Sequence, residues 1–202
     1  MGIPVLIMGE SGSGKTYSIK NFDPDEVGIF SVEKNRLPFR KEFKVAKNAG
    51  YPLIMKALSN PSLKKYVIDD SQYLLVNEFF DKAKETGYQK FTDLALNFRN
   101  LIHYIGREVP DDVIVYFLHH TELDANGKTK AKTIGKMLDE KLTVEGCFDI
   151  VLLAVTEGTD HYFITQSDGY STAKSPEQLF DTIKIPNDLK MVDSAIREYW
   201  GL

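Results

Sequence analysis

The chain of 202 residues has little cysteine, little arginine and no excess of positive charge. Its single cysteine, Cys147, excludes an internal disulfide and suits a reducing compartment, so the sequence predicts a cytoplasmic protein. With 25 basic and 29 acidic residues, any contact with nucleic acid must depend on a local basic patch. No apolar run approaches the length of a membrane span. The first residues of the sequence already form a predicted apolar strand. We therefore expect no signal peptide and no N-terminal accessory domain.

Hydrophobic residues make up 43% of the chain, which is enough for one sizeable core and predicts a single domain over residues 1–202. Short apolar runs alternate with helical periodicity. The runs predict strands at 3–8, 27–32, 64–70, 113–118, 149–155 and 161–165, and the periodicity predicts helices at 15–21, 52–60, 72–86, 91–107 and 188–200. This alternation is typical of an α/β fold with a mostly parallel sheet covered by helices on both faces.

A complete phosphate-binding motif follows the first predicted strand. It reads Gly9-Glu10-Ser11-Gly12-Ser13-Gly14-Lys15-Thr16, with Tyr17 next, and matches the G-x-x-x-x-G-K-[ST] pattern. Its glycines allow a tight turn whose N–H groups point at phosphate oxygens. The Lys15 ammonium reaches the β- and γ-phosphates in such loops, and the Thr16 hydroxyl ligates Mg²⁺. The motif predicts a site for a nucleoside triphosphate and Mg²⁺.

Two further predicted strands end in carboxylates. Asp69 and Asp70 close the strand at 64–70, where a carboxylate would coordinate Mg²⁺ beside the phosphates; an ordinary Asp cap of the next helix is the alternative. We predict Asp69 as the metal ligand. Glu33 ends the strand at 27–32 and is the first choice for orienting and deprotonating water, with Asp70 as its competitor.

His119 and His120 end another strand at the same predicted edge. A polar side chain at that position can hydrogen-bond the γ-phosphate and report its presence. A solvated pair is the alternative. Two adjacent histidines and one distant cysteine lack the spacing of a zinc site.

A lysine-rich segment surrounds a turn signal at Ala125-Asn126-Gly127. Its members are Lys128, Lys130, Lys132 and Lys136. The first three alternate, which places them on one face of an extended arm that can bind a phosphate backbone. The alternative is a solvated hairpin edge that lysine protects against aggregation. We predict that these lysines bind a phosphate backbone.

The order of these motifs resembles the RecA superfamily of P-loop ATPases, in particular the small core-only phage ATPases that include single-strand annealing and recombination proteins. The resemblance covers most of the chain. The similar stretches are Gly9–Thr16 (phosphate loop), 30–33 (strand with the catalytic glutamate), 67–71 (metal-binding strand), 116–120 (strand with the phosphate sensor), 122–135 (mobile DNA-binding loop) and 133–138 (the helix after it).

The resemblance implies a RecA-like sheet with a C-terminal hairpin, in one ATPase domain. It implies that Glu33 activates water and that His120, where the family has glutamine, senses the γ-phosphate. Lys174 lies where the family places lysines that reach a neighbouring subunit's nucleotide, so a homo-oligomer, ring or filament, is expected. The missing N-terminal domain favours annealing or an accessory role over full strand exchange. A single-strand-binding protein is a further expected partner, and the compartment becomes the bacterial host cytoplasm.

We therefore predict a Mg²⁺-dependent ATPase, slow or stimulated by DNA or oligomerisation, that acts on single-stranded DNA in phage-type recombination or replication. One alternative is a nucleotide-dependent regulatory module that does not touch DNA, which the acidic net charge suits. Another is a small-molecule kinase, but such enzymes close an arginine-bearing lid, and residues 120–141 contain no arginine. The guanine-specific N/T-K-x-D motif is missing from the sequence, which favours ATP over GTP.

Overall fold

The computed structural model describes residues 1–33, 36–87, 89–134 and 143–202. The strands of this part are β1 (Ile3–Gly9), β2 (Gly28–Ser31), β3 (Val45–Lys47), β4 (Lys65–Asp69), β5 (Ile114–Leu123), β6 (Thr129–Ala131), β7 (Ile150–Glu157), β8 (Asp160–Ile164) and β9 (Lys184–Pro186). The α-helices are α1 (Tyr51–Ser59), α2 (Tyr73–Asp81), α3 (Gln89–Glu108) and α4 (Leu189–Trp200), and Thr16–Asn21 and Val144–Cys147 form 3-10 helices.

The strands form one mixed sheet in the order β3-β2-β4-β5-β1-β7-β8-β9, with β6 paired to β5 outside this path. The first six of these strands are parallel, and β8, β9 and β6 are antiparallel to their neighbours. Strand β5 lies between β1 and β4. β1 precedes the phosphate loop, β4 ends in Asp69, and β5 carries His119 and His120. The carboxyl ends of β1 and β4 therefore lie on either side of β5.

Alternating side chains of the sheet build a core on each face. In β1, Leu6 and Met8 pack with the buried residues of α1 and α3, such as Ile54 and Phe98. On the other face the same strand contributes Val5 and Ile7 to a second core that includes the buried face of α4. Both faces of the central strands are thus covered, which explains why these strands are continuously apolar. The predicted α/β fold with helices on both faces is confirmed.

Several boundaries differ from the predictions for physical reasons. The helix after the phosphate loop is a 3-10 helix of six residues, and it ends before Asp23-Pro24, because the position preceding a proline disfavours helix. The short strands β3, β6 and β9 have three residues each and carry too little periodicity to be predicted. Strand β5 runs five residues beyond the predicted Leu118, because its end pairs with β6.

No described helix combines the length and the apolar character that crossing a bilayer requires.

Glu26 lies in the turn before β2, and its carboxylate contacts Lys190 of α4. From its surroundings we predict that the stability of the fold depends on pH. Burial opposes its ionisation, but hydrogen bonds from Lys190, the Asp23 main chain and Lys65 outweigh burial and lower its pKa from 4.5 to about 2. A carboxyl with a depressed pKa stabilises the fold above its unfolded-state pKa, and this stabilisation is lost as the pH falls through the folded-state value. The free energy of unfolding should therefore fall between pH 4.5 and about 2, and less steeply in Glu26→Gln.

Urea unfolding at several pH values checks this prediction. Glu42→Gln, which removes an exposed carboxylate nearby in the chain, is the control and should keep the wild-type profile. Equal acid sensitivity of wild type and Glu26→Gln would contradict the prediction.

Candidate functional site

A cleft with a volume of about 570 Å³ opens at the carboxyl edge of the sheet. This is where ligands bind in parallel sheets, and the volume lies within the usual range for small-molecule sites. The lining residues come from the phosphate loop, from the ends of β4 and β5, and from three other segments. They are Ser11, Gly12, Gly14, Lys15, Thr16, Tyr17, Arg36, Pro38, Asp69, Asp70, Tyr73, His120 and His161.

The loop from Gly9 to Thr16 takes a path that needs its glycines. Gly12 and Gly14 have φ of +82° and +90°, a left-handed conformation that side-chain-bearing residues rarely adopt. At Gly9 a Cβ would lie 2.4 Å from Ser13 Oγ and 2.9 Å from the Ala154 carbonyl oxygen. The motif glycines are therefore required by backbone conformation and by close packing against β7.

The Lys15 side chain folds back and bonds to the main chain of its own loop. Its Nζ donates hydrogen bonds of 2.8 Å to the carbonyl oxygens of Gly9 and Glu10, and the residue is 6% exposed. Burial lowers its pKa to about 8, against the opposing charges of Asp70, Asp69 and Glu10. An anionic ligand in the cleft would favour the charged ammonium and raise this pKa again.

The loop and the acidic strand are in direct contact. Thr16 Oγ1 donates a 2.8 Å hydrogen bond to Asp69 Oδ1. Burial raises the pKa of Asp69 to about 6, assisted by the charge of Asp70 and opposed by the Thr16 hydrogen bond and by Lys15. A cation bound here would hold this carboxylate in its ionised form.

Asp70 and His120 lie beside that contact. His120 Nε2 is 3.3 Å from Asp70 Oδ1, and the ring of Tyr73 packs edge-on against His120 with centroids 6.0 Å apart. Asp70 has φ of +58°, a left-handed conformation that aspartate tolerates better than most residues but that still stores strain. Asp69 and Asp70 both line the cleft.

His119, in contrast to His120, is fully buried. Its Nε2 donates to the Lys132 carbonyl oxygen at 2.8 Å, and its Nδ1 is 3.0 Å from Ser71 Oγ. Burial lowers its pKa to about 4, against the Lys132 hydrogen bond, so the imidazole is neutral at neutral pH. The alternative of a solvated histidine pair is wrong for His119, which connects β5 to the segment after β6.

Thr16 and Asp69 are the cleft residues whose oxygens could contribute to a Mg²⁺ site. The described residues contain no group of three or more His, Cys, Asp or Glu side chains that could hold a metal ion. The oxygens of Thr16 and Asp69 would leave most positions of an octahedral Mg²⁺ to phosphate and water, as that ion prefers. Within the described chain the buried Ser13 Oγ has no hydrogen-bond partner, so the loop also retains an unused polar group.

Glu33 lies outside the cleft. Asn77 Nδ2 donates to its Oε1 at 3.1 Å, and Glu33 lines a separate cavity with residues of α1, α2 and α3. β4 and β5 lie between β2 and β1, and Glu33 is not among the described residues that line the cleft. Of the two carboxylates proposed to activate water, the structure brings only Asp70 into the cleft.

The predicted DNA-binding lysines lie on the β5–β6 hairpin. Ala131 is buried, so alternation directs Lys130 to the opposite face, with Lys128 and Lys132 at the same period. Lys130 Nζ is 3.4 Å from Glu122 Oε1 on the paired strand, which offsets part of the positive charge. Lys136 lies outside the described residues.

Lys174 does not line its own chain's cleft. It is half-buried, and its main chain exchanges two 2.8 Å hydrogen bonds with Val151 of β7. The structure therefore fixes its backbone beside the sheet, and a role toward a neighbouring subunit stays a prediction.

Four cleft residues carried no signal in the sequence: Arg36, Pro38, Tyr73 and His161. His161 illustrates the difficulty. It follows a turn in β8, and its ring packs so closely on the phosphate loop that a Cβ at Gly14 would lie 2.8 Å from its Cγ. That contact depends on the pairing of β1 with β7 and of β7 with β8, which a sequence pattern does not specify.

No protein-family model matches the chain, and no curated protein matches it either. Its function is therefore inferred from the geometry of two features. One is the cleft, and the other is the β5–β6 hairpin with Lys128, Lys130 and Lys132, which we call the lysine hairpin.

Proposed function

We propose that the protein is a Mg²⁺-dependent, RecA-like P-loop ATPase that acts on single-stranded DNA in phage-type recombination or replication. The observation that carries the proposal is the hydrogen bond from Thr16 to Asp69, because it joins the phosphate loop to the acidic strand at one point. A metal-binding hydroxyl and a metal-binding carboxylate need this proximity. The strand order supports the same proposal, since it also brings His120 between them.

The chain's own residues would bind and orient the phosphates. The N–H groups of the loop face phosphate oxygens, and Lys15 exchanges its carbonyl partners for the ligand's β- and γ-oxygens. Asp69 and Thr16 would hold Mg²⁺, which supplies positive charge against the charge that develops on the phosphate oxygens. Charge compensation and positioning are the main needs of phosphoryl transfer.

Asp70 is the carboxylate placed to orient an attacking water. It lies in the cleft with His120 Nε2 3.3 Å away, whereas Glu33 is held by Asn77 outside it. In the proposal, His120 contacts the γ-phosphate and Asp70 at the same time. Asp70→Asn should therefore lower turnover more than Glu33→Gln does.

The lysine hairpin gives the proposal its DNA-binding part. Lys128, Lys130 and Lys132 would contact successive phosphates of a single strand, and each contact should add about 0.7 to the slope of log affinity against log salt. His119 of β5 donates a hydrogen bond to the Lys132 carbonyl oxygen. Because β5 also carries His120 into the cleft, the lysine hairpin and the proposed nucleotide site share this strand. In a homo-oligomer, Lys174 of each subunit would act toward its neighbour's nucleotide.

Oligonucleotide binding across salt concentrations tests this part. Replacing Lys128, Lys130 and Lys132 together with glutamine should weaken binding and reduce the log–log slope by about 2. The matched control replaces three exposed lysines elsewhere with glutamine, which changes the net charge equally. These are Lys47, Lys56 and Lys84. A salt-dependent affinity that both triple variants lose equally would contradict the assignment of the hairpin.

A further inference from the structure

The positions of the cleft residues relative to β1 determine how a bound nucleotide would be oriented across the sheet. Asp69, Asp70 and His120 lie on the β5 and β4 side of β1. The γ-phosphate belongs beside these groups, since Lys15 and the metal ligands act on the β- and γ-phosphates. The α-phosphate and the nucleoside must then extend the other way, toward β7 and β8.

Two aromatic rings stand on that side of the cleft. Tyr17 directly follows the loop, and His161 reaches it from β8; their ring centroids are 5.9 Å apart and their planes are inclined by 53°. The centroids are too close for a base to enter between the rings, since two layers in van der Waals contact need about 7 Å. The inclined rings can instead form a corner, in which a base stacks on one ring and meets the edge of the other.

Both rings are held in place by neighbouring side chains. Lys20 Nζ lies 3.8 Å from the centroid of the Tyr17 ring, a cation–π contact that fixes this ring from one side. Thr156 Oγ1 is 3.0 Å from His161 Nδ1. Such preorganised rings lose little conformational freedom when a base stacks on them.

The same part of the cleft offers little to read the edge of a base. Among the described lining residues there is no asparagine or glutamine, and the two carboxylates lie on the γ-phosphate side. Arg36 follows β2, which lies on the opposite side of β1 from β7 and β8. A stacking surface accepts any base with a large π-face, whereas discrimination between adenine and guanine needs edge-directed hydrogen bonds.

We propose that Tyr17 and His161 form a stacking platform for the nucleoside, which binds adenine and guanine with similar affinity and pyrimidines more weakly. This inference rests on the proposed phosphate site and assigns its base specificity. It makes the protein a general purine-nucleoside triphosphate binder in place of a strictly adenine-specific one.

Calorimetric titration of the full chain with Mg²⁺ tests the platform without turnover. The ligands are non-hydrolysable analogues of ATP, GTP and CTP, and inorganic tripolyphosphate, which has no base. Wild type should bind the two purine analogues within about tenfold of each other and should bind both more tightly than tripolyphosphate. Tyr17→Ala and His161→Ala should each weaken purine binding by about 5- to 100-fold and leave tripolyphosphate binding unchanged.

Three variants keep the result interpretable. His161→Phe retains a ring and should preserve purine binding, so a folding defect in His161→Ala does not remove the test. Tyr162→Ala alters the next residue of β8, whose side chain packs under Lys184, and should bind every ligand as wild type does. Tyr73→Leu alters the aromatic residue on the γ-phosphate side and should keep the difference between purine analogues and tripolyphosphate.

The outcomes separate this inference from the proposed function. If wild type binds neither tripolyphosphate nor any nucleotide, the phosphate site itself is wrong and the platform falls with it. If tripolyphosphate binds as tightly as the nucleotides, the phosphate site stands and the platform is overturned. Two further results would overturn the platform. One is that Tyr73→Leu, and neither Tyr17→Ala nor His161→Ala, loses the difference in affinity between the purine analogues and tripolyphosphate. The other is a preference of wild type for one purine above about 100-fold.

Discussion

Lys15→Ala is expected to abolish ATP hydrolysis while leaving the fold intact. In the proposed function the Lys15 ammonium binds the β- and γ-phosphates, where it would replace its hydrogen bonds to the Gly9 and Glu10 carbonyls by bonds to the ligand. Removing a preorganised donor of this kind costs about 10²- to 10³-fold in turnover. A phosphate-release assay with Mg²⁺, in the presence and absence of a single-stranded oligonucleotide, measures the change.

The fold should survive because both hydrogen bonds of the Lys15 side chain go to carbonyl oxygens of its own loop, at Gly9 and Glu10. Burial already makes its charged form costly, as the lowered pKa of about 8 shows. Circular dichroism and thermal unfolding of Lys15→Ala should therefore match wild type, and the exposed Lys47→Ala is the control for loss of a positive charge. Unchanged hydrolysis in a folded Lys15→Ala protein would refute the phosphate site and the metal role of Asp69 with it.

Asp193→Ala is expected to cause the largest loss of stability, about 3–5 kcal/mol. Asp193 is 2% exposed, and it accepts hydrogen bonds from Tyr116 Oη at 2.9 Å and from Arg197 Nε at 2.8 Å. Lys65 Nζ lies 3.5 Å away on the same carboxylate. Truncation would leave a fully buried hydroxyl and two cations without their shared partner, which costs far more than the loss of one contact.

Urea unfolding of wild type and Asp193→Ala gives the difference in the free energy of unfolding. Asp193→Asn keeps an acceptor for Tyr116 and should lose less. The double variant Asp193→Ala with Tyr116→Phe removes the orphaned hydroxyl and should recover part of the loss, which a double-mutant cycle resolves. A loss below about 1 kcal/mol in Asp193→Ala would show that the carboxylate is not needed to hold α4 on the sheet.

Local motifs were the predictable part of this protein. The phosphate loop is contiguous, and its glycines, lysine and threonine follow from the backbone conformation and charge that any such loop needs. The strand that ends in Asp69 was likewise visible as an apolar run with a terminal carboxylate. The α/β class followed from the same alternation of strands and helices, because burial on two faces leaves a distinct pattern.

The parts that depend on strand order were not predictable. Glu33 follows the end of β2, as expected, but β4 and β5 lie between β2 and β1, and Glu33 lines a different cavity. His161 and Tyr73 reach the cleft through pairings between distant segments, and sequence spacing does not encode such pairings. The neutral, buried state of His119 also depends on tertiary packing, since neighbouring His120 has the same side chain and lines the cleft.

The position of β1 at the centre of the sheet has a consequence for how the protein acquires its site. Ile3 pairs with Ile114, and Val5 pairs with Ile150, so β1 has no partner among its sequence neighbours. Closing such long loops is entropically slow and delays the formation of parallel pairings. The loop after β1 can therefore reach its final position between the acidic strand and β7 only once both distant partners, β5 and β7, have paired with β1.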